Sequence, residues 1–335
     1  MNTIKYKILL MVVLTIITVA VVGGLIFLQS NSENNEDEYE EIGLSAFEER
    51  FGQYTPEMWV VEDEETGNKM YVFGSIHVGI ADMYPLPERI LTAFRESDVL
   101  AVENDVRVLE EDMILMMELM THFTYADGTT LRDNTAAEQL AGLQEMAMAY
   151  GVPILPDAAF NKMYYMMLIS TMMWDSLGYT SEYGIEMYLM EEAERLGMRI
   201  EDIEDPLYTF SLLGGLSDEV MISALMTELE SFRNGVIEEE AHALFKAWVT
   251  GTVSNYYEMM YEEIYEEYGE EGVQLFEEYM LALNYIRNEI MAERAVEFLE
   301  SGEQYFFVVG ALHLQGERGV IRLLQEKGFS VERVV

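Results

Sequence analysis

The chain has 335 residues, half of them hydrophobic, and carries 62 acidic against 19 basic residues, a formal net charge of −43. Nucleic acids and anionic lipid surfaces are poor partners for such a chain, because both require clustered Lys and Arg. The absence of cysteine excludes disulfides, thiolate metal sites and cysteine nucleophiles. The composition therefore indicates a globular protein with a substantial core and a strongly acidic surface.

The N-terminus begins with Lys5 and Lys7, followed by an uncharged apolar run from Ile8 to Leu28. This run matches the ~20 residues that span a bilayer and exceeds the ~7–15 apolar residues of a cleaved signal peptide. No Lys or Arg follows until Arg50, so the positive-inside rule keeps the N-terminus cytoplasmic. We predict a cytoplasmic tail (1–7), a transmembrane signal anchor (8–28), an acidic flexible linker (29–42) and an extracellular domain (43–335).

A β-hairpin is predicted at the start of the folded region. Two strand patterns, 58–63 and 69–74, flank a glycine-containing loop. The second strand continues into Gly74-Ser-Ile-His77. Its glycine permits a sharp turn or a close approach of another group. His77 is thereby expected just beyond the strand tip, where open α/β sheets place their sites.

A second chemically active side chain is expected at the end of the next strand. After a predicted helix over 88–96, the apolar run 99–105 predicts a strand that ends in acidic residues, among them Glu103. If this strand ends at the same sheet edge as the one before His77, a carboxylate oxygen lies beside an imidazole nitrogen.

The middle of the chain, from Leu109 to about Arg199, has helical patterns rich in methionine. Methionines at helical spacing predict core packing. One stripe is Met113, Met116, Met117 and Met120; the other is Met163, Met166 and Met167. His122 and His242 lie in helical patterns and are predicted to be solvated or packed residues.

A further helix and strand follow. The helix over 184–196 is predicted to end at Gly197 as a C-cap. The short strand 198–203 then leads to Glu204. Residues 212–299 have the pattern of several long, acidic amphipathic helices.

The C-terminal region repeats the early pattern. A strand over 305–309 leads to Gly310-Ala-Leu-His313, and a loop, a helix and a closing strand follow. Two such units at opposite ends of the chain predict an α/β protein with one mixed sheet, assembled from both ends and covered by the helical middle. His77 and His313 are then expected to share one site.

Two histidines and a carboxylate on strand tips suit a divalent transition metal. Imidazole and carboxylate ligands bind Zn, Mn, Co or Fe, and a 2-His-1-carboxylate set leaves positions open for water and substrate. An open position lets the metal acidify water and polarise a carbonyl. A serine triad fits less well, because no nucleophile-elbow pattern is present. A metal-free pair of histidines acting as acid and base remains an alternative.

At this point the chain resembles the TraB/PrgY/GumN family, which includes the Tiki metalloproteases. The resemblance runs from Trp59 to Val335 and rests on ordered features: Gly74-Ser-Ile-His77, Glu103, Gly184-Ile-Glu186, Glu204, Arg287-Asn288 and Gly310-Ala-Leu-His313, with Gly316 and Gly319 behind them. It implies that the two Gly-x-x-His motifs form the metal-binding active site of a membrane-tethered protease. It also implies a core of paired ββαα units, related to the erythromycin-esterase-like fold. Ser75 replaces the usual threonine and Glu186 the commoner aspartate.

The resemblance assigns expected roles to individual residues. His77 and His313 are expected metal ligands, and Glu103 is a ligand or a general base. Glu186 is an additional ligand or a partner that orients one. Arg287 either binds an oxyanion or substrate carboxylate, or forms a buried ion pair. The remaining candidates support the ligands or contact the substrate, and they are Gly74, Ser75, Glu204, Asn288 and Gly310.

Two classes of function follow from these expectations. The first is a membrane-anchored, metal-dependent peptidase that uses Mn, Co or Zn and acts on extracellular peptides or protein N-termini. The second is a non-catalytic extracellular protein that sequesters a peptide, as a pheromone-binding role requires. The sequence leaves the substrate, the identity of the metal and the oligomeric state open.

Overall fold

The fold is built on one six-stranded mixed sheet. The computed structural model describes residues 44–105, 107 and 112–334. The strands are β1 (Met58–Glu62), β2 (Lys69–Ser75), β3 (Val99–Val102), β4 (Arg199–Asp202), β5 (Tyr305–Gly310) and β6 (Ser330–Arg333). Their order is β4-β3-β5-β2-β1-β6. The four strands from β4 to β2 run parallel, whereas β1 pairs antiparallel with both β2 and β6.

Helices account for most of the remaining chain. They are α1 (Leu44–Phe51), α2 (Glu88–Arg95), α3 (Met113–Thr121), α4 (Ala137–Ala149), α5 (Lys162–Ser176), α6 (Ile185–Leu196), α7 (Pro206–Gly214), α8 (Asp218–Arg233), α9 (Ile237–Val249), α10 (Val253–Met280), α11 (Ile286–Ser301) and α12 (Val320–Glu326). Helix α10 is interrupted at Gly269, whose backbone is not helical. A π-helical turn, Leu281–Tyr285, joins α10 to α11.

The central strand β5 is buried over its whole length, as expected for a parallel strand covered on both faces. Its side chains alternate between two cores because successive residues of a strand point to opposite faces. Phe306 and Val308 join the larger core, which contains most of the helices between β3 and α10. Phe307 and Val309 face a smaller core formed with α11 and α12.

The predicted α/β architecture is confirmed in its main feature, a mixed sheet assembled from both ends of the described chain. β1 to β3 come from the N-terminal part, β5 and β6 from the C-terminal part, and β4 joins at one edge. Strand β3 ends at Val102, three residues before the predicted end. The predicted anchor (8–28) and linker (29–42) lie outside the described residues. No helix within the described ranges is long and apolar enough to cross a membrane.

The prediction for the methionine stripes is only half right. Met163, Met166 and Met167 are buried in α5, as expected. In α3, however, Met113 and Met117 are 76% and 68% exposed. Helix α3 is apolar on almost every side, and only one side of a helix can face the core.

Candidate functional site

The two histidine motifs meet at one edge of the sheet, at the carboxyl ends of the parallel strands. β2 and β5 are parallel neighbours, and Ser75 is paired in register with Gly310. His77 and His313 therefore follow adjacent strand ends. β3 and β4 lie on the other side of β5 and end at the same edge. This edge, called the carboxyl edge below, thus brings Glu103 next to His313, with Glu204 beside Glu103.

Small residues allow the two histidine loops to pack closely. A Cβ atom on Gly74 would lie 3.1 Å from both the Cα and the Cβ of Ala311. The Gly74 carbonyl accepts a hydrogen bond of 2.9 Å from Nε1 of Trp248 on α9. On the other side of the first loop, a Cβ on Gly184 would lie 2.5 Å from the carbonyl oxygen of His77. Glycine at these two positions is therefore a packing requirement.

His77 is held by a carboxylate from the start of α6. Its Nδ1 lies 2.9 Å from Oε1 of Glu186, and Oγ of Ser75 donates to the same oxygen. Burial lowers the pKa of His77, but the charge and hydrogen bond of Glu186 outweigh it and the net pKa is raised. Burial likewise raises the pKa of Glu186, and His77 with Ser75 brings it below its usual range. The two groups form a buried, hydrogen-bonded pair.

His313 is fully buried and held by a neutral amide. Its Nδ1 lies 2.6 Å from Oδ1 of Asn288. The Asn288 amide is oriented by its Nδ2, which donates to the carbonyl of Arg318 at 2.9 Å. Because an amide oxygen only accepts, Nδ1 of His313 carries the proton. Burial, followed by the charges of Arg287 and His77, lowers the pKa of His313 well below its usual range.

The opposite nitrogens of the two rings have no partner. Nε2 of His77 and Nε2 of His313 are both buried and make no hydrogen bond within the described structure. Buried polar atoms are normally hydrogen-bonded, so each such exception requires an explanation. The proton on Nδ1 leaves the Nε2 lone pair of His313 available, and the same holds for His77 in its neutral form. Imidazole nitrogens of this kind are the donors that divalent transition metals take.

Glu103 lies beside Nε2 of His313, and both of its carboxylate oxygens already accept hydrogen bonds. Its Oε1 accepts a 2.6 Å hydrogen bond from the Gly310 amide and lies 3.9 Å from Nε2 of His313. Its Oε2 accepts from Nη2 of Arg287 at 2.6 Å. Within the described ranges, no group of three or more His, Asp or Glu side chains is arranged to hold a metal ion. The imidazole and carboxylate groups are thus of the type that binds a metal, but the carboxylate of Glu103 already accepts hydrogen bonds from Gly310 and Arg287.

Arg287 lies beneath the site and is only 1% exposed. Its guanidinium bridges Glu103 and Glu204, and its Nη1 donates to the Leu283 carbonyl at 3.1 Å. Burial lowers the pKa of Arg287, but the two carboxylates raise it to a net value above its ordinary one. Of the two alternatives raised by the sequence, the buried ion pair is the one that describes these contacts.

The remaining two histidines lie away from the carboxyl edge. His122 is the C-cap of α3, and Nδ1 of His242 is 2.7 Å from the hydroxyl of Tyr179. Sequence reasoning missed Trp248, which supports the first histidine loop. Trp248 is 174 positions from Gly74, and a tryptophan in a helical pattern carries no signal for that contact.

Comparison with known proteins gives one family and several distant relatives. A family model described as the TraB/PrgY/gumN family matches residues 57–333. The chain is 27% identical over 155 residues to the uncharacterized protein YbaP of Escherichia coli (strain K12), covering 46% of this chain and 55% of YbaP. It is 25% identical over 191 residues to a metalloprotease TIKI homolog of Amphimedon queenslandica, covering 51% of this chain and 36% of that protein.

A longer match is with metalloprotease TIKI2 of Danio rerio, 22% identical over 318 residues, which covers 82% of this chain and 60% of that protein. The chain therefore spans less than two thirds of the length of each of these three relatives. No solved structure matches it.

Proposed function

The chain belongs to the TraB/PrgY/gumN family, and from this premise we propose that it is a metal-dependent peptidase. Two of its distant relatives are named metalloproteases, which supports hydrolysis as the class of reaction. The motifs that suggested this family in the sequence are the ones that meet at the carboxyl edge.

The observation that carries the proposal is the pair of unpartnered Nε2 atoms on His77 and His313. Two buried nitrogens without a partner are costly unless something binds them. A divalent transition metal held by both nitrogens satisfies them. Glu103 is proposed as the third ligand, through an Oε1 atom that now accepts from Gly310, or as the base.

The surrounding residues prepare the two imidazoles. Glu186 and Asn288 accept hydrogen bonds from the Nδ1 atoms, which fixes the direction of each ring and, in the neutral ring, leaves Nε2 without a proton. Such partners fix the tautomer and orientation of metal-binding histidines. We assign Glu186 to this supporting role, because Ser75 and His77 both bond to its Oε1 atom.

The chemistry that such an ion supplies when bound is a lower pKa for a water molecule and polarisation of a peptide carbonyl. The protein's own part is to place a proton acceptor next to the reacting groups. Glu103 fits that part, because Arg287 and the Gly310 amide hold its two oxygens in place. Arg287 is assigned to positioning Glu103, since its burial keeps it from contact with a substrate.

The location and substrate class belong to the same proposal. The apolar run 8–28 and the lysines before it support a single-pass anchor with the remaining chain outside the cytoplasm. The substrates are then extracellular peptides or the N-termini of extracellular proteins.

Mass spectrometry of synthetic peptides tests the proposal. The full chain, purified in detergent, is incubated with a mixture of peptides, with and without a chelator. We expect cleavage that the chelator stops and that Mn²⁺, Co²⁺ or Zn²⁺ restores. The His77→Ala, His313→Ala double variant is the control and should cleave nothing. Peptides that are bound but remain intact with every metal would instead identify a sequestering protein.

A further inference from the structure

A second group of buried, unsatisfied polar atoms lies between α8, α9 and α10, away from the carboxyl edge. Glu228 of α8 is only 2% exposed, and neither of its carboxylate oxygens has a hydrogen-bond partner. Within the described ranges, the only influences on the pKa of Glu228 are its burial and the charge of Glu240, and no cation is among them. An isolated ionised carboxylate in a protein interior is strongly unfavourable.

A second carboxylate shares this position. Glu240 of α9 is also buried, and its Oε1 lies 3.5 Å from Oγ of Ser231. Ser231 is three residues beyond Glu228 on α8, so both project from the same side of that helix. The proximity of Glu240 adds to the effect of burial on Glu228, whose pKa is raised to about 8. The buried carboxylate of Glu228 therefore requires a compensating positive charge or a proton.

Two phenols lie near these carboxylates: burial and then the charge of Glu240 raise the pKa of Tyr256, and burial and then the charge of Glu228 raise the pKa of Tyr279. The hydroxyls of Tyr256 and Tyr279, both on α10, are buried and have no hydrogen-bond partner in the described structure. Tyr279 is 1% exposed and also lines a cavity of about 190 Å³ between α8 and α10. Thr227, the residue before Glu228, lines the same cavity. The cavity therefore reaches this group and exceeds the ~30 Å³ share of one water molecule.

We propose that Glu228, Glu240, Tyr256 and Tyr279 form a buried cation site, separate from the histidine site. All four groups offer oxygen, which is the ligand type of hard cations such as Ca²⁺. The two carboxylates carry the charge that one divalent cation neutralises. Two carboxylates and two phenols supply at most six oxygens, so water in the adjoining cavity supplies any further ligands among the six to eight that Ca²⁺ takes.

Calorimetric titration of the full chain with CaCl2 at pH 8 tests this site, with 150 mM KCl present to screen the acidic surface. We expect about one Ca²⁺ bound per chain. Glu228→Gln should abolish this binding and Tyr279→Phe should weaken it at least tenfold. Two controls should bind as the wild type does: Glu219→Gln, an exposed change on the same helix, and His77→Ala, which alters the other site.

A parallel titration with MgCl2 in place of CaCl2 identifies the cation. Tighter Ca²⁺ than Mg²⁺ binding is expected, since Mg²⁺ demands a compact octahedral shell and gives up water reluctantly. Equal Ca²⁺ binding by the wild type and Glu228→Gln would overturn the proposal, because it would assign all binding to the acidic surface. The absence of any binding at millimolar Ca²⁺ would overturn it as well.

Discussion

Gly74 and Ala311 bring the two histidine loops into direct contact, because a Cβ on Gly74 would lie 3.1 Å from both the Cα and the Cβ of Ala311. The two motifs are far apart in the sequence, yet their strands are parallel neighbours. The contact sets the spacing between the loops that carry His77 and His313. The glycine of the first Gly-x-x-His motif, Gly74, thus has a steric function at this site.

Gly74→Ala should destabilise the protein by crowding this contact. The added methyl group meets backbone as well as side-chain atoms, and overpacking of a core costs ~1–3 kcal/mol. Denaturant unfolding gives the loss directly. The double variant with Ala311→Gly should recover part of it, because the Cβ of Ala311 is one of the three atoms that the added methyl group would meet. An unchanged unfolding midpoint for Gly74→Ala would show that the loops are not in contact.

Asn288→Ala should weaken metal binding through His313. The ring loses the acceptor for its Nδ1 proton. Removing such a hydrogen-bond partner of a metal-binding histidine lowers metal affinity roughly 10- to 100-fold. Co²⁺ titration followed by visible absorption measures the change. Asn288→Asp retains an acceptor oxygen and should bind more tightly than Asn288→Ala. The exposed neighbour change Glu289→Ala is the matched control. Equal affinity in Asn288→Ala and the control would contradict this role.

Glu228→Gln should stabilise the protein, and increasingly so as the pH rises. The folded pKa of about 8 lies above the ordinary 4.5, so folding keeps a proton that the unfolded chain releases. The wild type therefore loses stability between about pH 4.5 and pH 8, at roughly 1.4 kcal/mol per unit. The variant has no such loss.

Thermal unfolding in chelator from pH 5 to pH 8 measures this difference. The gap in melting temperature between Glu228→Gln and the wild type should widen across the range. The exposed change Glu219→Gln should show no such trend. A gap that stays constant with pH would mean that Glu228 titrates normally.

The membrane topology gives a prediction that is independent of the chemistry. Lys5 and Lys7 precede the apolar run, and no Lys or Arg follows until Arg50. We expect protease added to intact cells to degrade the region 43–335 while leaving cytoplasmic proteins whole. Loss of this region only after cell lysis would place it in the cytoplasm.

The sequence predicted the elements that position the site better than it predicted the contacts within it. Gly-x-x-His after an apolar strand places His77 and His313 correctly at strand ends, because strand patterns and glycine turns are local signals. The repetition of one motif predicted a shared sheet and a shared site, whereas the direct pairing of β2 with β5 came from the structure. The end of β3 at Val102 was predicted three residues too late, because the acidic residues beyond it were included in the strand pattern.

The partners of the site residues were less predictable. Glu186, Asn288 and Arg287 were singled out as site residues, but which ring or carboxylate each one contacts depends on helix rotation. Trp248 gave no sequence signal at all, since its bond to Gly74 depends on packing between distant segments. The predicted burial of Met113 and Met117 was wrong for a related reason. Periodicity alone does not distinguish a buried apolar stripe from an exposed one.

The central claim is that Glu103 serves chemistry at a two-histidine metal site, and one measurement tests it most directly. The peptide cleavage rate and the bound metal of Glu103→Gln are determined on the same sample, beside the exposed control Glu64→Gln. As a base, Glu103 contributes ~10²–10⁴-fold to the rate. We predict a folded variant whose cleavage falls by that factor with its metal retained, or falls together with its metal if Glu103 is a ligand. Cleavage that continues at the wild-type rate in Glu103→Gln, and in the presence of chelator, would contradict the account.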